Sequence, residues 1–227
     1  MPATMNELPR LAIPSTPIAG TTDRFPVRRI FCVGQNYADH AREMGSDPRQ
    51  PPFFFTKPAD AVTPSGLRLP FPTRTANLHH EVELVVALGK GGVSVTPTEA
   101  PCMIFGYAVG IDLTRRDLQT EAKQSSRPWD MSKGFDHSAL VGLLTKGLPP
   151  HEAAITLTID GVVRQSGNLM NMVWSVMDVV SILSTSVTLA AGDLIFTGTP
   201  AGVGPIHRGE KVRGVIEGID AIEVTFI

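Results

Sequence analysis

Two glutamates two residues apart in an apolar segment are the clearest chemical candidates in this sequence. Glu81 and Glu83 lie in the run His80-Glu81-Val82-Glu83-Leu84-Val85-Val86, whose β-branched residues predict a strand. Alternate residues of a strand point to one face, so we expect the two Cα atoms about 6.5–7 Å apart and both carboxylates on the same side. Carboxylates this close on an apolar strand repel each other and resist burial, and a bound cation would remove that conflict.

A third carboxylate, Asp112, ends the next apolar run and could supply another oxygen ligand. A set made only of carboxylates favours a hard cation, so the sequence predicts Mg²⁺ or Mn²⁺. His79 and His80 precede the pair and raise zinc as an alternative, but the H-E-x-x-H spacing of hydrolytic zinc sites is absent. The other interpretation is an edge strand whose outer face carries two solvated glutamates.

A histidine and a glutamate three residues apart form the second chemical candidate. Residues 38–44 have a helix-forming composition and are followed by Gly45, so His40 and Glu43 would share one helix face. A carboxylate beside an imidazole fixes its tautomer and raises its basicity, as a general base requires. The alternative is an ordinary exposed helix with this pair on its surface.

Five more polar residues stand where predicted elements end or turn. Lys57 ends the run Phe53-Phe54-Phe55-Thr56-Lys57 and is either solvated or faces an anionic ligand. Arg116 and Gln119 are three apart in a helix-like segment and would share a face. Lys133 is a lone cation among small residues, and Thr199 offers a hydroxyl in a glycine turn after a predicted strand.

The elements that must position these side chains are mostly short strands. The 227 residues, of which 42% are hydrophobic, are enough for one sizeable domain. Twenty-one glycines and 19 prolines suit a fold with many tight turns. Asp160-Gly161 between two apolar runs predicts a type I′ hairpin, and residues 173–183 predict an apolar helix. We predict an α+β, β-rich fold, a mixed β-sandwich or roll with a few short helices.

The chain divides at residue 28 in this interpretation. Residues 1–27 contain five prolines and little periodicity, which predicts an extended arm, and residues 28–227 would form a single catalytic domain. The net charge of −2 and the lack of basic runs argue against nucleic-acid or membrane-surface partners. No secretory h-region is present, and Cys32 and Cys102 lie in apolar runs as expected of core residues. We therefore expect a cytoplasmic protein.

Six motifs, taken in chain order, resemble the fumarylacetoacetate hydrolase family. The resemblance runs from about Arg28 to Ile227, and within the family it is greatest to the fumarylpyruvate hydrolases, the acylpyruvase-type members. The motifs are Gly34-Gln35-Asn36-Tyr37-Ala38-Asp39-His40, Phe55-Thr56-Lys57-Pro58, His80-Glu81-Val82-Glu83-Leu84, Gly110-Ile111-Asp112-Leu113-Thr114-Arg115-Arg116-Asp117-Leu118-Gln119, Lys133-Gly134-Phe135-Asp136 and Gly192-Asp193-Leu194-Ile195-Phe196-Thr197-Gly198-Thr199-Pro200.

The resemblance implies a β-roll homodimer that holds Mg²⁺ or Mn²⁺ through its three carboxylates. It also implies a water-activating pair on a closing lid, a lysine in the pocket and a small set of residues along the substrate. The implied metal ligands are Glu81, Glu83 and Asp112; the implied catalytic residues are His40, Glu43 and Lys133; the implied substrate-site residues are Arg116, Gln119 and Thr199.

The implied activity is metal-dependent hydrolysis of a C–C bond in a 2,4-diketo acid, above all of fumarylpyruvate to fumarate and pyruvate in gentisate-type aromatic breakdown. The distal carboxylate of such a substrate needs a cation, for which Lys57 and Arg116 are the predicted candidates. The alternatives are an oxaloacetate decarboxylase or tautomerase, a hydroxymuconate-type isomerase or decarboxylase, and a metal-stabilised binding protein without turnover. The last needs no base beside the metal, so His40 and Glu43 argue against it.

Overall fold

A computed structural model describes residues 8, 10–43, 45, 47 and 50–227 of the protein. Short strands dominate these residues, and the described part contains four α-helices. This β-rich architecture confirms the predicted fold class. The strands are β1 (Ser15–Pro17), β2 (Arg24–Pro26), β3 (Arg29–Gly34), β4 (Phe53–Lys57), β5 (Val62–Pro64), β6 (Arg68–Leu69), β7 (Leu78–His80), β8 (Val82–Leu88), β9 (Ile104–Asp112), β10 (Thr114–Arg115), β11 (Ala139–Val141), β12 (Thr145–Lys146), β13 (Ala154–Ile159), β14 (Val162–Asn168), β15 (Asp193–Phe196), β16 (Gly204–Ile206), β17 (Lys211–Ile216) and β18 (Ile222–Phe226).

The helices lie outside the sheets and are short. They are α1 (Ala38–Glu43), α2 (Arg116–Gln124), α3 (Asp130–Lys133) and α4 (Val176–Ser186). Predicted helix residue Met44 falls outside the described residues, as do residues 46, 48 and 49 of the segment after it. Among the described residues, no helix is long and apolar enough to cross a membrane.

The largest sheet has eight strands, and its central strands carry the candidate carboxylates. Its order is β4-β3-β15-β8-β9-β11-β5, with β12 paired to β9. All seven residues of β8 are buried, because the strand lies between β15 and β9 and both faces of the sheet are covered by separate apolar clusters. A strand covered on both faces has a continuous apolar sequence instead of an alternating one. The edge-strand interpretation is therefore wrong for this segment.

The predicted strand around Glu81 is in fact two strands. β7 ends at His80 and β8 begins at Val82, and the two belong to different sheets, since β7 pairs with β10 and β16. Glu81 lies at the passage from one sheet to the other, where its carbonyl accepts a 2.8 Å hydrogen bond from the N–H of Asp112. The sequence pattern missed this break because residues 78–88 contain no glycine or proline that would mark the end of a strand.

A five-stranded sheet, β14-β13-β17-β18-β6, packs against the large one. The predicted hairpin is confirmed between β13 and β14, where Asp160 has φ 50° and Gly161 has φ 81°, the positive values that a type I′ turn requires. The predicted helix at 173–183 begins later, at Val176. Ser175 and Asp178 form a capping box that sets this start.

The predicted N-terminal arm lies partly outside the described residues, which leave out residues 1–7 and 9. Its remainder forms the β1–β2 hairpin. The hydroxyl of Thr16 donates to the carbonyl of Gly142 at 3.2 Å, and Phe25 is part of the apolar cluster on that side of the large sheet. One cysteine expectation is wrong: Cys32 is buried, but Cys102 is exposed because it lies in a 3₁₀ turn at the surface.

Candidate active site

The three predicted carboxylates meet at one end of the β8–β9 pair. Glu81, Glu83 and Asp112 each offer an oxygen within 4.8 Å of the others, and none of the three is more than 5% exposed. The register pairs Glu83 with Gly110 and Val82 with Ile111, so the last residue of β9 lies beside the first glutamate. Antiparallel pairing thus brings Asp112 to Glu83 of β8 and to Glu81, the residue just before that strand.

Three cations surround these carboxylates. The ammonium of Lys133 donates to Glu81 Oε2 and to Asp112 Oδ2, both at 2.8 Å. Arg116 donates to Glu81 Oε1. Lys57 Nζ lies 2.8 Å from Asp112 Oδ1 and donates to the carbonyls of Leu113 at 3.1 Å and Lys133 at 2.5 Å. Buried opposite charges at these distances offset much of each other's desolvation cost.

The positive charge around the three carboxylates is uneven: Glu81 lies against two cations, and Glu83 pairs with none of the three. Burial alone would raise the pKa of Glu81, but the charges of Lys133 and Arg116 hold it well below its ordinary value. Burial raises the pKa of Glu83 well above its ordinary value, and the charges of Asp112 and Glu81 raise it further. Glu83 is therefore the carboxylate that most needs another positive charge.

The carboxylate cluster fits a hard divalent cation. Asp112 Oδ1 is buried and lies 2.8 Å from Lys57 Nζ, but among the described residues it accepts no hydrogen bond of standard geometry. An oxygen in this state, beside two more carboxylates, matches the donor set that Mg²⁺ and Mn²⁺ prefer. A buried acidic cluster of this composition could hold such an ion.

Glu83 is held by a glycine turn after β15. The N–H of Gly198 donates to Glu83 Oε2 at 2.6 Å. Gly198 has φ +98°, and a Cβ there would lie 2.7 Å from Asn36 Cβ. Only glycine combines this backbone conformation with such close contact, so the turn aims a fixed donor at the carboxylate.

His40 and Glu43 meet as their spacing predicts. His40 Nδ1 lies 3.1 Å from Glu43 Oε2. A carboxylate only accepts, so Nδ1 carries the proton in the neutral ring and Nε2 keeps a free lone pair. His40 is only 5% exposed and lines the same cavity as the glutamates, which makes the surface-pair interpretation wrong. Glu43 also accepts long 3.4 Å bonds from the N–H of Gly202.

The cavity above the carboxylates has about 360 Å³ of empty space, counting its open mouth. One wall is aromatic: Phe53 and Phe55 both pack edge-on against Trp129, with ring centroids 5.5 and 5.9 Å apart. Seven of the predicted site residues line the cavity. They are His40, Glu81, Glu83, Arg116, Gln119, Lys133 and Thr199.

Lys57 is not among the residues that line the cavity. Its side chain is fully buried, and its ammonium is enclosed by Asp112 and two carbonyl oxygens. The prediction that Lys57 contacts a substrate carboxylate therefore finds no support in this geometry. Its position instead makes it a fixed countercharge for Asp112.

The two histidines before Glu81 are hydrogen-bonded to partners outside the carboxylate cluster. His79 Nδ1 accepts from Arg116 Nε at 3.2 Å, and its Nε2 lies 3.0 Å from Asn77 Oδ1. Burial, and then the charge of Arg116, lower the pKa of His79 to about 4. Both nitrogens of this neutral ring are engaged, so His79 is not free to bind zinc, and the cluster of potential metal ligands among the described residues contains carboxylates only.

Sequence reasoning missed Gln165, a buried amide on β14 that braces the site. Its Oε1 lies 3.0 Å from the N–H of Val82 and 2.9 Å from His80 Nδ1. Its amino group donates to Thr199 Oγ1 at 2.7 Å and to the carbonyl of Pro200 at 2.9 Å. A backbone donor on one side and a backbone acceptor on the other fix the orientation of this amide. No local pattern marked this residue.

This network also constrains Thr199. Its hydroxyl accepts from Gln165 and donates to the carbonyl of Val82 at 2.8 Å. The hydroxyl proton is thereby committed to the strand, and the remaining lone pair is what Thr199 offers toward the cavity. The predicted contact of Thr199 with substrate stays a prediction. If it forms, Thr199 would accept a hydrogen bond from the substrate and not donate one.

Comparison with known proteins identifies the family. Residues 29–227 match the model of the fumarylacetoacetate (FAA) hydrolase C-terminal family. The chain belongs to the fumarylacetoacetate hydrolase family. It is therefore an enzyme of this family, and its carboxylate cluster lies within the matched region.

Three relatives show the range of activities found near this chain. A crystal structure of fumarylpyruvate hydrolase from Pseudomonas aeruginosa, in complex with Mn²⁺ and pyruvate, superposes with a TM-score of 0.95 at 48% identity over 98% of this chain and 99% of that one. A fumarylpyruvate hydrolase from a Ralstonia species is 41% identical over 76% of this chain and 91% of its own length. The mitochondrial oxaloacetate tautomerase FAHD1 of Mus musculus is 40% identical over 85% and 88%.

Proposed function

We propose that this protein hydrolyses fumarylpyruvate to fumarate and pyruvate. The observation that carries the proposal is that Glu81 and Glu83 of the carboxylate cluster line one cavity together with His40, whose Nδ1 faces Glu43 and whose Nε2 keeps its lone pair. A metal site alone would serve many reactions, but a metal site with an oriented base beside it suits attack by water on a carbonyl carbon. The Pseudomonas and Ralstonia relatives are named for this activity.

Glu81, Glu83 and Asp112 would hold Mg²⁺ or Mn²⁺. The ion would supply a Lewis acid for the carboxylate and 2-keto oxygens of a pyruvoyl group. The relative crystallised with Mn²⁺ and pyruvate supports this arrangement. Lys133, whose ammonium uses two of its three donors on Glu81 and Asp112, would keep the carboxylates in place and leave one donor for the substrate.

His40 would take a proton from water at Nε2 while Glu43 holds its Nδ1–H. The water oxygen then adds to the 4-keto carbon, and the charge that develops on the keto oxygen needs donors. Gln119 can be one of them, since its Oε1 accepts from Arg116 at 2.5 Å and its amino group points the other way. As the charged oxygen re-forms its carbonyl, the bond between C3 and C4 breaks, C4 becomes a carboxyl group of fumarate and the electron pair stays on the pyruvate half. The proton that His40 took from water then passes to C3 and completes pyruvate.

Three further expectations accompany this proposal. The family resemblance implies a homodimer and a part in the breakdown of aromatic compounds, and the composition and cysteine pattern of the sequence led us to expect a cytoplasmic location. Size-exclusion chromatography with light scattering of the full chain tests the first, and a mass of one chain would contradict it. Titration with Mg²⁺ and Mn²⁺ in parallel would show which ion the carboxylates bind more tightly.

Oxaloacetate is the second candidate substrate, because the mouse relative is an oxaloacetate tautomerase and oxaloacetate has the same pyruvoyl end. The two candidate functions differ in whether water attacks the substrate. In hydrolysis the His40–Glu43 pair activates water for addition to a 4-keto carbon, and oxaloacetate has no 4-keto carbon.

Side-by-side assays of the metal-loaded enzyme separate the two candidates. They would follow loss of the diketo-acid absorbance, release of CO₂ and exchange between the keto and enol forms of oxaloacetate. We expect kcat/KM for fumarylpyruvate to exceed that for either oxaloacetate reaction by at least about 100-fold, the scale that a misplaced water and a lost charged contact can set. Comparable or faster turnover of oxaloacetate would move the protein to the second candidate.

A further inference from the structure

Helix α2 borders the cavity along one face. Arg116, Gln119 and Lys123 are spaced i, i+3 and i+7 on it, which places them along one face, and all three line the cavity. Arg116 lies at the carboxylate end, where it donates to Glu81. At a rise of about 1.5 Å per residue, the Cα of Lys123 lies about 10.5 Å further along the helix axis. The helix thus presents cations at both ends of the cavity.

The cations at the carboxylate end of the cavity are already paired with carboxylates. Lys57 and Lys133 are bound to Asp112 and Glu81. Arg116 divides its guanidinium between Glu81, Gln119 and His79. None of these three has a charge left unmatched for a second substrate carboxylate some atoms away from the pyruvoyl group.

Lys123 differs from them. Its ammonium lies 5.1 Å above the ring of Trp129, another residue of the cavity wall, and no carboxylate pairs with it among the described residues. The residue is exposed, yet partial burial of its ammonium end, and then the charge of Arg116, lower the pKa of Lys123. A cation held at the mouth of a cavity that contains another cation favours an anionic ligand.

We propose that Lys123 binds the distal carboxylate of the substrate and so selects long dicarboxylates. The inference rests on the proposed function and names the part of the site that reads the far end of the molecule. An extended seven-carbon diketo acid, with C–C bonds of about 1.5 Å, spans roughly 7–8 Å between its terminal carboxyl carbons. That length takes it from the carboxylate cluster toward the outer turn of α2. Oxaloacetate has four carbons and ends near Arg116 and Gln119.

The charges in the cavity agree with this assignment. Four carboxylates and four cations surround the site: Glu43, Glu81, Glu83 and Asp112, and Lys57, Arg116, Lys123 and Lys133. A divalent ion would add two more positive charges, so a dianionic substrate suits the cavity better than a monoanionic one. Trp129, beside Lys123, gives the flat conjugated chain of such a substrate an aromatic surface to lie against.

A binding experiment tests the proposal without any turnover. Calorimetric titrations of the Mn²⁺-loaded protein would compare 2-oxoheptanedioate with 2-oxoheptanoate, which have the same chain and keto acid but differ in the distal carboxylate. We expect the dioate to bind about 10-fold more tightly to the unchanged protein, the value of one charge-assisted contact at a partly exposed site. Equal affinities would overturn the proposal.

Three variants localise the effect. Lys123→Met should remove the roughly 10-fold preference for the dioate and leave the affinity for 2-oxoheptanoate unchanged, whereas Lys123→Arg should restore most of it. Arg127→Met is the matched control, since Arg127 is an exposed cation nearby that pairs with Glu121 at 3.6 Å and does not line the cavity. An equal loss for both ligands in Lys123→Met, or an equal effect of Arg127→Met, would contradict the assignment.

Kinetics separate this inference from the proposed function. In Lys123→Met, kcat/KM should fall about 10-fold for fumarylpyruvate, mostly through KM, and stay unchanged for acetylpyruvate, which lacks the distal carboxylate, and for oxaloacetate. If the unchanged enzyme hydrolyses neither diketo acid, the proposed function fails while the titrations still decide the role of Lys123. If it hydrolyses both and the variant slows both alike, the proposed function stands and the role of Lys123 is refuted.

Discussion

The two halves of the active site are built differently. We call Glu81, Glu83, Asp112, Lys57 and Lys133 the carboxylate floor: all five are buried, and their charged groups lie 2.8 Å from a partner or are held by backbone. The other half is helix α1 with His40 and Glu43, which has six residues. A helix of this length is unstable by itself, and Glu43 holds it to the opposite loop only through 3.4 Å contacts with Gly202.

Because of this difference, we expect substitutions in the two halves to change different properties of the protein. Buried charges of the carboxylate floor depend on each other, so a change there should alter stability and metal binding together. Helix α1 contributes few strong contacts, so a change there should alter the rate and leave the fold intact. Single substitutions in each half test whether the two respond in these different ways.

Glu83→Gln should cause the largest loss. We expect Mn²⁺ affinity to fall by more than about 100-fold, because even groups that only orient a ligand are worth 10–100-fold, and activity should disappear with it. The metal-free variant should melt at the same or a higher temperature, since burial and neighbouring charges raise the pKa of Glu83 and the neutral amide relieves that repulsion. Calorimetry and thermal unfolding with and without Mn²⁺ measure both effects.

The control for Glu83→Gln is Glu223→Gln. Glu223 is a partly exposed carboxylate paired with Lys211, and its loss should change neither property. Unchanged Mn²⁺ affinity in Glu83→Gln, or full activity of the unchanged protein after treatment with chelator, would remove Glu83 from the metal site.

Lys57→Met should be the most destabilising change in the carboxylate floor. It leaves Asp112 with one cation fewer in a fully buried position, and breaking a buried ion pair costs about 3–5 kcal/mol of unfolding free energy. Denaturant titration of the metal-free protein measures it. Lys211→Met, which removes a half-exposed lysine, should cost less than about 1 kcal/mol. Equal costs would mean that Lys57 is not a countercharge of the floor.

His40→Ala should lower kcat by about 10²–10⁴, the usual value of a general base. Mn²⁺ affinity should stay the same, because His40 belongs to helix α1 and not to the carboxylate floor. Asp39→Asn on the same helix is the matched control, since Asp39 is exposed and bonds only Arg42 among the described residues. Wild-type turnover in His40→Ala would place the base elsewhere.

Glu43→Gln should have the smallest effect, a decrease of kcat by about 10-fold. The amide oxygen can still accept from Nδ1–H of His40, now 3.1 Å from Glu43, but it no longer carries the charge that raises the basicity of the ring. Steady-state rates measured together with His40→Ala decide the ranking. A loss as large as that of His40→Ala would show that Glu43 itself handles the proton.

Short-range geometry was predictable from the sequence alone. Strand alternation predicted that Glu81 and Glu83 would lie together, and they do, although Glu81 falls in the break before β8. Helical spacing predicted the contact of His40 with Glu43, because it depends only on the repeat of one helix. The number of short predicted strands indicated the β-rich class and the resemblance of six motifs indicated the family, and both are confirmed. The roles given to individual site residues remain predictions that the substitutions above can test.

Contacts between distant segments were decided by the tertiary structure. The β8–β9 register brings Asp112 beside Glu81, packing turns Lys57 toward Asp112 instead of the cavity, and Gln165 reaches Val82 across 83 positions of the chain. Sheet order and register follow from packing of the whole core and leave no local period that can be read in advance. Lys123 was not predicted as a site residue for the same reason. Its spacing from Arg116 is visible in the sequence, but only the fold shows that this helix face lines a cavity.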